Sequence, residues 1–286
     1  MLYYHKPLYV ESYTLSIDNI VLDLWITTNG FEEILESTIN NMNDSADINI
    51  VSWEGNKSGT FFKQYLFRLE NGTSFWLGHG LISTGISFNR YRLEFNPNKV
   101  AENEIFMIIH QLLLQYCRKS LSRISRFDLA VDIPLDRSKC FLVKDRRLYI
   151  ERRHGVEYTQ YLGSKSASVG RVKLYNKTVE AKLDYPLTRL ELTLNPEISY
   201  EKTNFPTVYF LKSVGTNNDN IKMTDTERFI LNALLQGYGT VTDLGRKTRS
   251  KMEMFMEDYI CKVSISSQIY DKILAQLDSY LHGNII

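Results

Sequence analysis

The run RLEFNP at residues 92–97 returns as RLELTLNP at residues 189–196. Two shorter echoes accompany it in the same order, IVLDL (20–24) with LAVDI (129–133) and KQYL (63–66) with TQYL (159–162). Self-similarity at a spacing of about 100 residues is typical of a duplicated unit. Each echo is short, so chance similarity is the alternative. We predict an α+β architecture, in which two duplicated strand-rich half-domains form a pseudo-twofold antiparallel sheet with helices on one side.

Local patterns around these echoes agree with that architecture. Residues 8–27 are rich in β-branched and aromatic side chains, as in a strand. Residues 60–95 have the pattern of a meander, with a hairpin at the Asn-Gly turn of 71–72. The segments 31–42 and 100–121 carry apolar residues at helical spacing.

The C-terminal part is predicted to be helical. Residues 224–237 begin with a Thr-x-x-Glu capping box and end at a glycine, and a short turn leads into a second helix. The opening turns of that second helix carry Arg246, Lys247, Arg249 and Lys251. This arrangement is similar to a helix-turn-helix and predicts DNA contact. The alternative is an ordinary helical hairpin with a solvated basic end.

These patterns divide the chain into three segments. We predict a first half-repeat at 1–121 and a second half-repeat at 122–215. A helical, helix-turn-helix-like segment follows at 216–286.

Charge is unevenly distributed along the chain. The 286 residues are 43% hydrophobic and 23% charged, which excludes a disordered chain, and the net charge is only +1. Residues 137–182, however, hold 12 basic and 4 acidic side chains, a local net charge of +8. Such asymmetry favours a polyanionic partner. A solvated hairpin paired with the acidic N-terminal part is the alternative.

Other features exclude several classes of protein and site. No apolar stretch is long enough for a transmembrane helix, and the N-terminus lacks a secretory signal pattern. The three cysteines are far apart, which favours a reduced, cytoplasmic chain without a thiolate zinc site. The five histidines include no closely spaced pair, so a histidine-bound metal is poorly supported.

Strand alternation places the candidate chemical groups on one face of the sheet. They are Arg126, Asp128 and Asp132 in one strand, Arg171, Lys173, Tyr175 and Lys177 in a second, and Arg189 and Glu191 in a third. Carboxylates at close range repel unless a cation joins them, and oxygen ligands alone favour Mg²⁺ or Mn²⁺. A tyrosine among basic groups is a candidate nucleophile for phosphodiesters, although its pKa of about 10 requires activation. The alternative is a set of salt bridges within the sheet.

Three motifs occur in order within this region: YLGS (161–164), YNKTVE (175–180) and TRLE (188–191). Together with RFDLAVD (126–132) they resemble the Rep_trans family. Its members include rolling-circle plasmid replication initiators and the related relaxases of integrative conjugative elements. The resemblance is good over residues 120–200 and weaker elsewhere.

The resemblance implies a metal-dependent, site-specific DNA nicking-closing enzyme. Residues 122–215 would be its catalytic half-repeat and residues 216–286 its DNA-recognition segment. The first half-repeat, 1–121, would be structural and position DNA, because it offers Gly78-His79-Gly80 in place of a tyrosine. Tyr175 would attack one strand at the plasmid double-strand origin, giving a 5′-phosphotyrosyl link and a 3′-OH primer, and would rejoin the strand at termination. Lys173 and Arg189 would assist as catalytic residues. Our choice of ligands for Mg²⁺ or Mn²⁺ is Asp128, Asp132 and Glu191.

The resemblance also implies contacts with double-strand origin DNA and single-stranded DNA. Arg171, Lys177 and Lys165 would bind phosphates, and the basic C-terminal helix would recognise the origin. Lys165 stands where the family commonly has Arg, which keeps the charge but gives up bidentate phosphate binding. The expected assembly is a homodimer working with a host helicase.

Three other functions stay open at the level of sequence. The first is a conjugative-element relaxase that nicks a transfer origin. The second is a non-enzymatic DNA-binding protein with a saddle-like sheet and a helical reader. The third is a domain unrelated to DNA.

Overall fold

The structure, a computed structural model, describes most of the chain. The described residues are 8–10, 12–43, 48–54, 61–80, 89–164, 169–211 and 223–282. The strands in these ranges are β1 (Leu8–Val10), β2 (Tyr13–Ile26), β3 (Ile48–Glu54), β4 (Lys63–Leu69), β5 (Ser74–His79), β6 (Asn89–Phe95), β7 (Arg123–Ile133), β8 (Cys140–Leu142), β9 (Tyr149–His154), β10 (Glu157–Leu162), β11 (Val172–Asn176), β12 (Thr188–Leu194), β13 (Val208–Leu211) and β14 (Ile260–Lys262). The α-helices are α1 (Phe31–Asn43), α2 (Pro97–Val100), α3 (Glu104–Tyr116), α4 (Lys177–Ala181), α5 (Asp225–Leu235), α6 (Arg246–Tyr259) and α7 (Ser267–His282). None of these described helices has the length and apolar character needed to cross a bilayer.

Eleven of the described strands build one antiparallel sheet, with β2 and β7 at its centre. The order is β3-β4-β5-β6-β2-β7-β12-β11-β10-β9, and β1 pairs with the start of β2. A pseudo-twofold axis between β2 and β7 makes β6 the counterpart of β12, β5 of β11, β4 of β10 and β3 of β9. The three sequence echoes lie on the counterpart pairs β2/β7, β6/β12 and β4/β10. The predicted α+β fold with a duplicated, pseudo-twofold sheet is therefore confirmed.

One face of this sheet carries the main hydrophobic core. Phe31 of α1, Phe106 of α3 and Tyr280 of α7 are fully buried in it, so these three helices cover the same face. Nε2 of His110 in α3 lies 2.8 Å from the carbonyl oxygen of Tyr280, which ties α3 to α7. Because side chains alternate along each strand, the polar residues of β7, β11 and β12 point to the opposite face.

A smaller three-stranded sheet, in the order β14-β13-β8, separates this core from a second one. Cys140 and Phe210 point to the main core. Leu211 and Ile260 point to the other side, where they pack against the apolar residues of α5 and α6. The helical pair is thus attached to the duplicated sheet through its own small hydrophobic cluster.

The helix predicted over residues 100–121 is shorter than expected. The Asn103 side chain accepts a 3.1 Å hydrogen bond from the backbone N–H of Phe106 and so starts α3 at Glu104. Cys117, after the end of α3, forms an isolated bridge with Ile26 instead of extending the helix. Local capping and pairing to β2, which apolar spacing does not report, set both ends.

The C-terminal segment contains the predicted pair of helices. Thr224 and Glu227 form the capping box of α5, and Gly237 adopts a positive φ of 73° in the turn that follows. The last helix, α7, is not part of this pair, because it packs in the main core. The division at residues 121 and 215 stays a prediction.

Candidate functional site

The strand register brings the predicted chemical residues of β7, β11 and β12 together on the polar face. Tyr175 lies opposite Arg189, which in turn lies opposite Asp132. Two residues further along the same two strands, Lys173 lies opposite Glu191. The sheet thus assembles a tyrosine, two cations and two carboxylates from three adjacent strands.

Tyr175 is nearly buried, at 4% exposure, but it lies on the polar face. Its hydroxyl donates a 2.5 Å hydrogen bond to Oε1 of Glu191. The ammonium group of Lys173 is 3.7 Å from the centre of the ring, and that of Lys177 is 5.9 Å from it. Burial, followed by the charge and hydrogen bond of Glu191, raises the pKa of Tyr175 well above its usual range. The phenol is therefore held protonated in this arrangement.

Arg189 forms a bidentate ion pair with Asp132. Its Nε is 2.6 Å from Oδ1 and its Nη2 is 2.7 Å from Oδ2. Asp18 provides a second carboxylate, 3.1 Å from Nη1. Burial opposes the charge of Arg189, but Asp132 and Asp18 outweigh it and keep its pKa above the usual value. The guanidinium is a fixed positive charge beside Tyr175.

Asp128 differs from the other carboxylates of the site because one of its oxygens is buried without a hydrogen-bond partner among the described residues. Its Oδ1 is buried and accepts no hydrogen bond from any described residue. Burial raises the pKa of this carboxyl, and the nearby charges of Glu191 and Glu94 add to the effect. A hydrogen bond from Thr193 and the charge of Arg126 act in the opposite direction.

The predicted metal ligands fit a divalent cation only in part. Asp128 has a free buried oxygen and Glu191 is on the adjacent strand, as two ligands of such an ion would require. Both oxygens of Asp132 are taken up by Arg189, so that residue would bind a metal only if the ion pair opened. Within the described residues, no three His, Cys, Asp or Glu side chains form a group arranged to hold a metal.

Two of the predicted phosphate-binding residues, Lys177 and Arg171, lie at the two ends of β11, the strand that carries Tyr175. Lys177 begins α4 and forms an ion pair with Glu180. Arg171 lies just before β11, on the same face as Lys173 and Tyr175, with its guanidinium 5.3 Å from the ring centre of Tyr161. Lys165 falls outside the described residues, so its role stays a prediction.

The four basic residues predicted to read DNA from α6 have different surroundings. Arg249 donates hydrogen bonds to the carbonyl oxygens of Val241, Thr242 and Leu244, so it braces the turn before its own helix. Lys251 forms an ion pair with Glu227 of α5. Arg246 and Lys247 are exposed, and no described residue forms an ion pair with either of them.

The first half-repeat has a counterpart of the site without the tyrosine. Arg92 pairs with Asp23 through Nε at 2.6 Å and Nη2 at 3.0 Å, in the same way as Arg189 pairs with Asp132. Gly78 lies opposite Arg92 and so takes the place of Tyr175. A Cβ atom at Gly78 would come within 2.4 Å of the Trp76 ring.

His79, between the two glycines of this half, belongs to the core. It is 3% exposed and stacks on Tyr91 with a centroid separation of 4.4 Å. Burial, with the charge of Lys63, lowers the pKa of His79 to about 4. These contacts hold His79 in the packed interior of the first half, whose predicted structural and DNA-positioning roles stay predictions.

Two acidic residues of the site did not enter the sequence-based set. Asp18 reaches Arg189 because β2 has a bulge between Ile17 and Asn19, and a bulge leaves no clear sequence signal. Glu94 pairs with Arg126 and is the counterpart of Glu191. The similarity of RLEF (92–95) to RLEL (189–192) aligns Glu94 with Glu191, and this is the sequence signal that could have identified Glu94.

Comparison with known proteins finds two curated relatives named for replication initiation. A curated relative from Staphylococcus aureus called "Replication initiation protein" is 26% identical over 178 residues, which cover 58% of this chain and 55% of the relative. A second protein of that name and organism is 25% identical over 171 residues, covering 56% of this chain and 52% of the relative. The chain resembles replication initiation proteins. The matches span about half the length of these relatives, and they confirm the resemblance inferred from the motifs.

Two further comparisons add little. A solved rolling circle replication initiator protein from Geobacillus stearothermophilus aligns with 63% of this chain and 74% of its own, at 15% identity and a TM-score of 0.37. This likeness is weak, and the fold described above stands on this chain's own strands. No protein-family model matches the chain.

Proposed function

We propose that this chain is a plasmid rolling-circle replication initiator that nicks one strand of its double-strand origin through Tyr175. The observation that carries the proposal is the Tyr175 hydroxyl, bonded to Glu191 on the polar face and flanked by Lys173 and Arg189. The similarity to replication initiation proteins supports the same biology.

In the proposed reaction, the phenolic oxygen of Tyr175 attacks the phosphorus of one phosphodiester. The bond between that oxygen and phosphorus forms while the bond from phosphorus to O3′ breaks. Glu191, which already accepts the phenolic hydrogen bond, takes the proton, and the leaving O3′ takes up a proton from solvent water to become the 3′-OH primer. The products are a 5′-phosphotyrosyl link and a free 3′ end. The reverse attack by a 3′-OH rejoins a strand at termination.

Three cations around Tyr175 suit this step because negative charge grows on the phosphate and on the phenolic oxygen. Lys173 contacts the ring directly, and the ammonium group of Lys177 is 5.9 Å from its centre. The guanidinium of Arg189, the third cation, is held beside the ring by Asp132 and Asp18. Preorganised positive groups of this kind stabilise developing charge without reorganising during the reaction.

Metal dependence is part of the proposal. Asp128, through its unpartnered buried oxygen, and Glu191 would hold Mg²⁺ or Mn²⁺. When bound, such an ion would polarise the scissile phosphate and lower the pKa of the attacking phenol. In the further parts of the proposal, Arg171 and Lys177 bind phosphates, α6 recognises the origin, and the cytoplasmic protein acts as a homodimer with a host helicase.

The experiment that tests this function is incubation of the protein with end-labelled origin plasmid in Mg²⁺ or Mn²⁺. We expect a covalent protein–DNA adduct, and peptide mapping should place the DNA on Tyr175. The Tyr175→Phe variant should bind the origin with nearly unchanged affinity and form no adduct. An adduct on another residue, or full nicking by this variant, would refute the proposed nucleophile.

The low exposure and raised pKa of Tyr175 favour a second candidate, a non-enzymatic DNA-binding protein. In that case the Glu191 contact would serve only to hold the strands together. The two candidates differ in the same assay, because a binding protein would retard origin DNA without nicking it in any divalent metal.

A further inference from the structure

The polar face of Tyr175 continues outward across β10 and β9 to the edge of the sheet. Tyr161 in β10 pairs with Lys173 in β11 and with Ile150 in β9. Lys173 and Tyr175 are two residues apart on one strand, so Tyr161 and Tyr175 are diagonal neighbours on the same face, which lie about 7 to 8 Å apart in sheets.

Two arginines flank the ring of Tyr161 from the neighbouring strands. The guanidinium carbon of Arg152, in β9, is 5.7 Å from the ring centre, and that of Arg171, beside β11, is 5.3 Å from it. Both distances are within the range of a cation–π contact. Together with Ile150 and Gly163, these three residues line a shallow pocket in the surface.

These two arginines differ from the cations nearer to the site in having no acidic partner in the part of the chain that the structure describes. Lys173, Lys177 and Arg189 each form an ion pair with a carboxylate. No described residue forms an ion pair with Arg152 or Arg171. Their charge is therefore available to an anion that comes from outside the chain.

We propose that Tyr161, Arg152 and Arg171 form a binding strip for single-stranded DNA. One base stacks on the Tyr161 ring, and the two guanidinium groups hold the phosphates on either side of it. The inference rests on the proposed function, because the strip would hold the strand that Tyr175 is proposed to cleave.

The chemistry of the strip suits single-stranded rather than double-stranded DNA. A base can stack on a side chain only when it is not paired and stacked within a duplex. Sites for single strands combine aromatic platforms with cations that follow the backbone, as this strip does. Arginine serves both purposes, since its planar guanidinium binds phosphate and packs on rings.

The strip offers a matched pair of charge variants. Arg152 and Arg153 are adjacent in β9 and point to opposite faces, and Arg153 is 73% exposed and pairs with Glu151. Arg152→Ala and Arg153→Ala remove the same charge, but only the first changes the strip. For the ring, Tyr161→Leu removes stacking and Tyr161→Phe keeps it.

The test measures the binding of fluorescein-labelled oligo(dT) by fluorescence anisotropy at fixed salt, with the full chain and with each variant. Tyr161→Leu should weaken binding by about tenfold, the effect of one lost base stack, and Tyr161→Phe should recover most of that loss. Arg152→Ala should weaken binding clearly more than Arg153→Ala. Thermal unfolding of each variant checks that the fold is kept.

Three results would overturn the strip: no binding of oligo(dT) by the unmodified chain, equal affinity of Tyr161→Leu and the unmodified chain, or equal effects of the two arginine variants. The adduct assay separates this inference from the proposed function. An adduct on Tyr175 with unchanged binding by Tyr161→Leu would refute the strip alone. The expected binding pattern without any adduct would refute the nicking chemistry and keep the strip.

Discussion

The hydroxyl of Tyr175 donates a 2.5 Å hydrogen bond to Glu191 on the neighbouring strand β12. This contact ties the candidate nucleophile to a carboxylate that disfavours its ionised form, because a phenolate and a carboxylate repel each other. The phenol is therefore held protonated in this arrangement, and added positive charge nearby would favour its ionisation. Removal of the Glu191 charge should therefore change the pKa of Tyr175.

Glu191→Gln is expected to lower the pKa of Tyr175. The substitution removes a negative charge that, after burial, is the largest cause of the raised pKa. The phenolate is then less unfavourable, so ionisation shifts to lower pH. Ultraviolet absorbance titration would measure the shift, with Tyr175→Phe as the control that identifies the signal. An unchanged titration would show that Glu191 does not set the protonation of Tyr175.

Asp23→Asn is expected to destabilise the protein more than Asp132→Asn. Asp23 is 1% exposed and is the carboxylate partner of both Arg90 and Arg92, so its loss leaves two cations poorly compensated. We expect a cost of about 3 to 5 kcal/mol in the free energy of unfolding, measured in urea. Asp132→Asn should lower the free energy of unfolding by less, because Nη1 of Arg189 keeps a second carboxylate partner, Oδ1 of Asp18, at 3.1 Å.

The Asp23 ion pairs also predict a dependence on acid. Burial alone would raise the pKa of Asp23, but the hydrogen bonds and charges of Arg92 and Arg90 outweigh it and lower the pKa. The unfolded chain then binds the proton more readily, so the stabilisation is complete above about pH 4 and is lost as the pH falls below it. Asp23→Asn should show a shallower loss of stability in this acid range, and an equally steep loss would contradict the assignment.

His110 is expected to make stability fall between about pH 6.5 and pH 4. Burial lowers its pKa to about 4, although the hydrogen bond to the Tyr280 carbonyl opposes the shift. The unfolded chain takes up the proton first, so folding loses about 3 kcal/mol by pH 4 through this group. In urea titrations, His110→Gln should flatten the curve in that window, with part of the slope remaining from His79, whose pKa is also about 4. A curve as steep as that of the unmodified chain would be the contrary result.

Arg249→Ala and Lys247→Ala are expected to separate stability from DNA binding. Arg249 donates to three carbonyl oxygens of the turn before α6, so its loss should lower the melting temperature. Lys247 is exposed, and its loss should leave the melting temperature unchanged. If α6 contacts phosphates through Lys247, the slope of log K against log salt for origin DNA should fall by about one unit. The same slope in both proteins would remove Lys247 from the interface.

The duplicated sheet was predictable because the two halves of the chain retain short stretches of similar sequence in the same order. The echoes around Asp23 and Asp132, and around Arg92 and Arg189, mark positions that the structure relates by the axis between β2 and β7. Alternation then placed Lys173, Tyr175, Arg189 and Glu191 on one face correctly, because the register of β11 and β12 contains no bulge.

The parts that could not be predicted depend on contacts distant in sequence. Asp132 is held by Arg189 in a bidentate pair, and strand parity alone does not distinguish this from metal binding. The bulge that brings Asp18 to the same arginine is invisible to period-two alternation. The docking of α7 on the main core, through Tyr280 and His110, joins residues 170 positions apart.

The glycine at position 78 makes the two halves of the sheet unequal in chemical capacity. Asp23 and Arg92 repeat the ion pair of the other half, but the Trp76 ring occupies the space that a counterpart of Tyr175 would need. Under the proposed chemistry, each polypeptide can therefore carry one covalently attached strand end at these equivalent positions. If the reaction cycle holds two strand ends at once, the proposed chemistry then needs a second polypeptide to supply the second tyrosine.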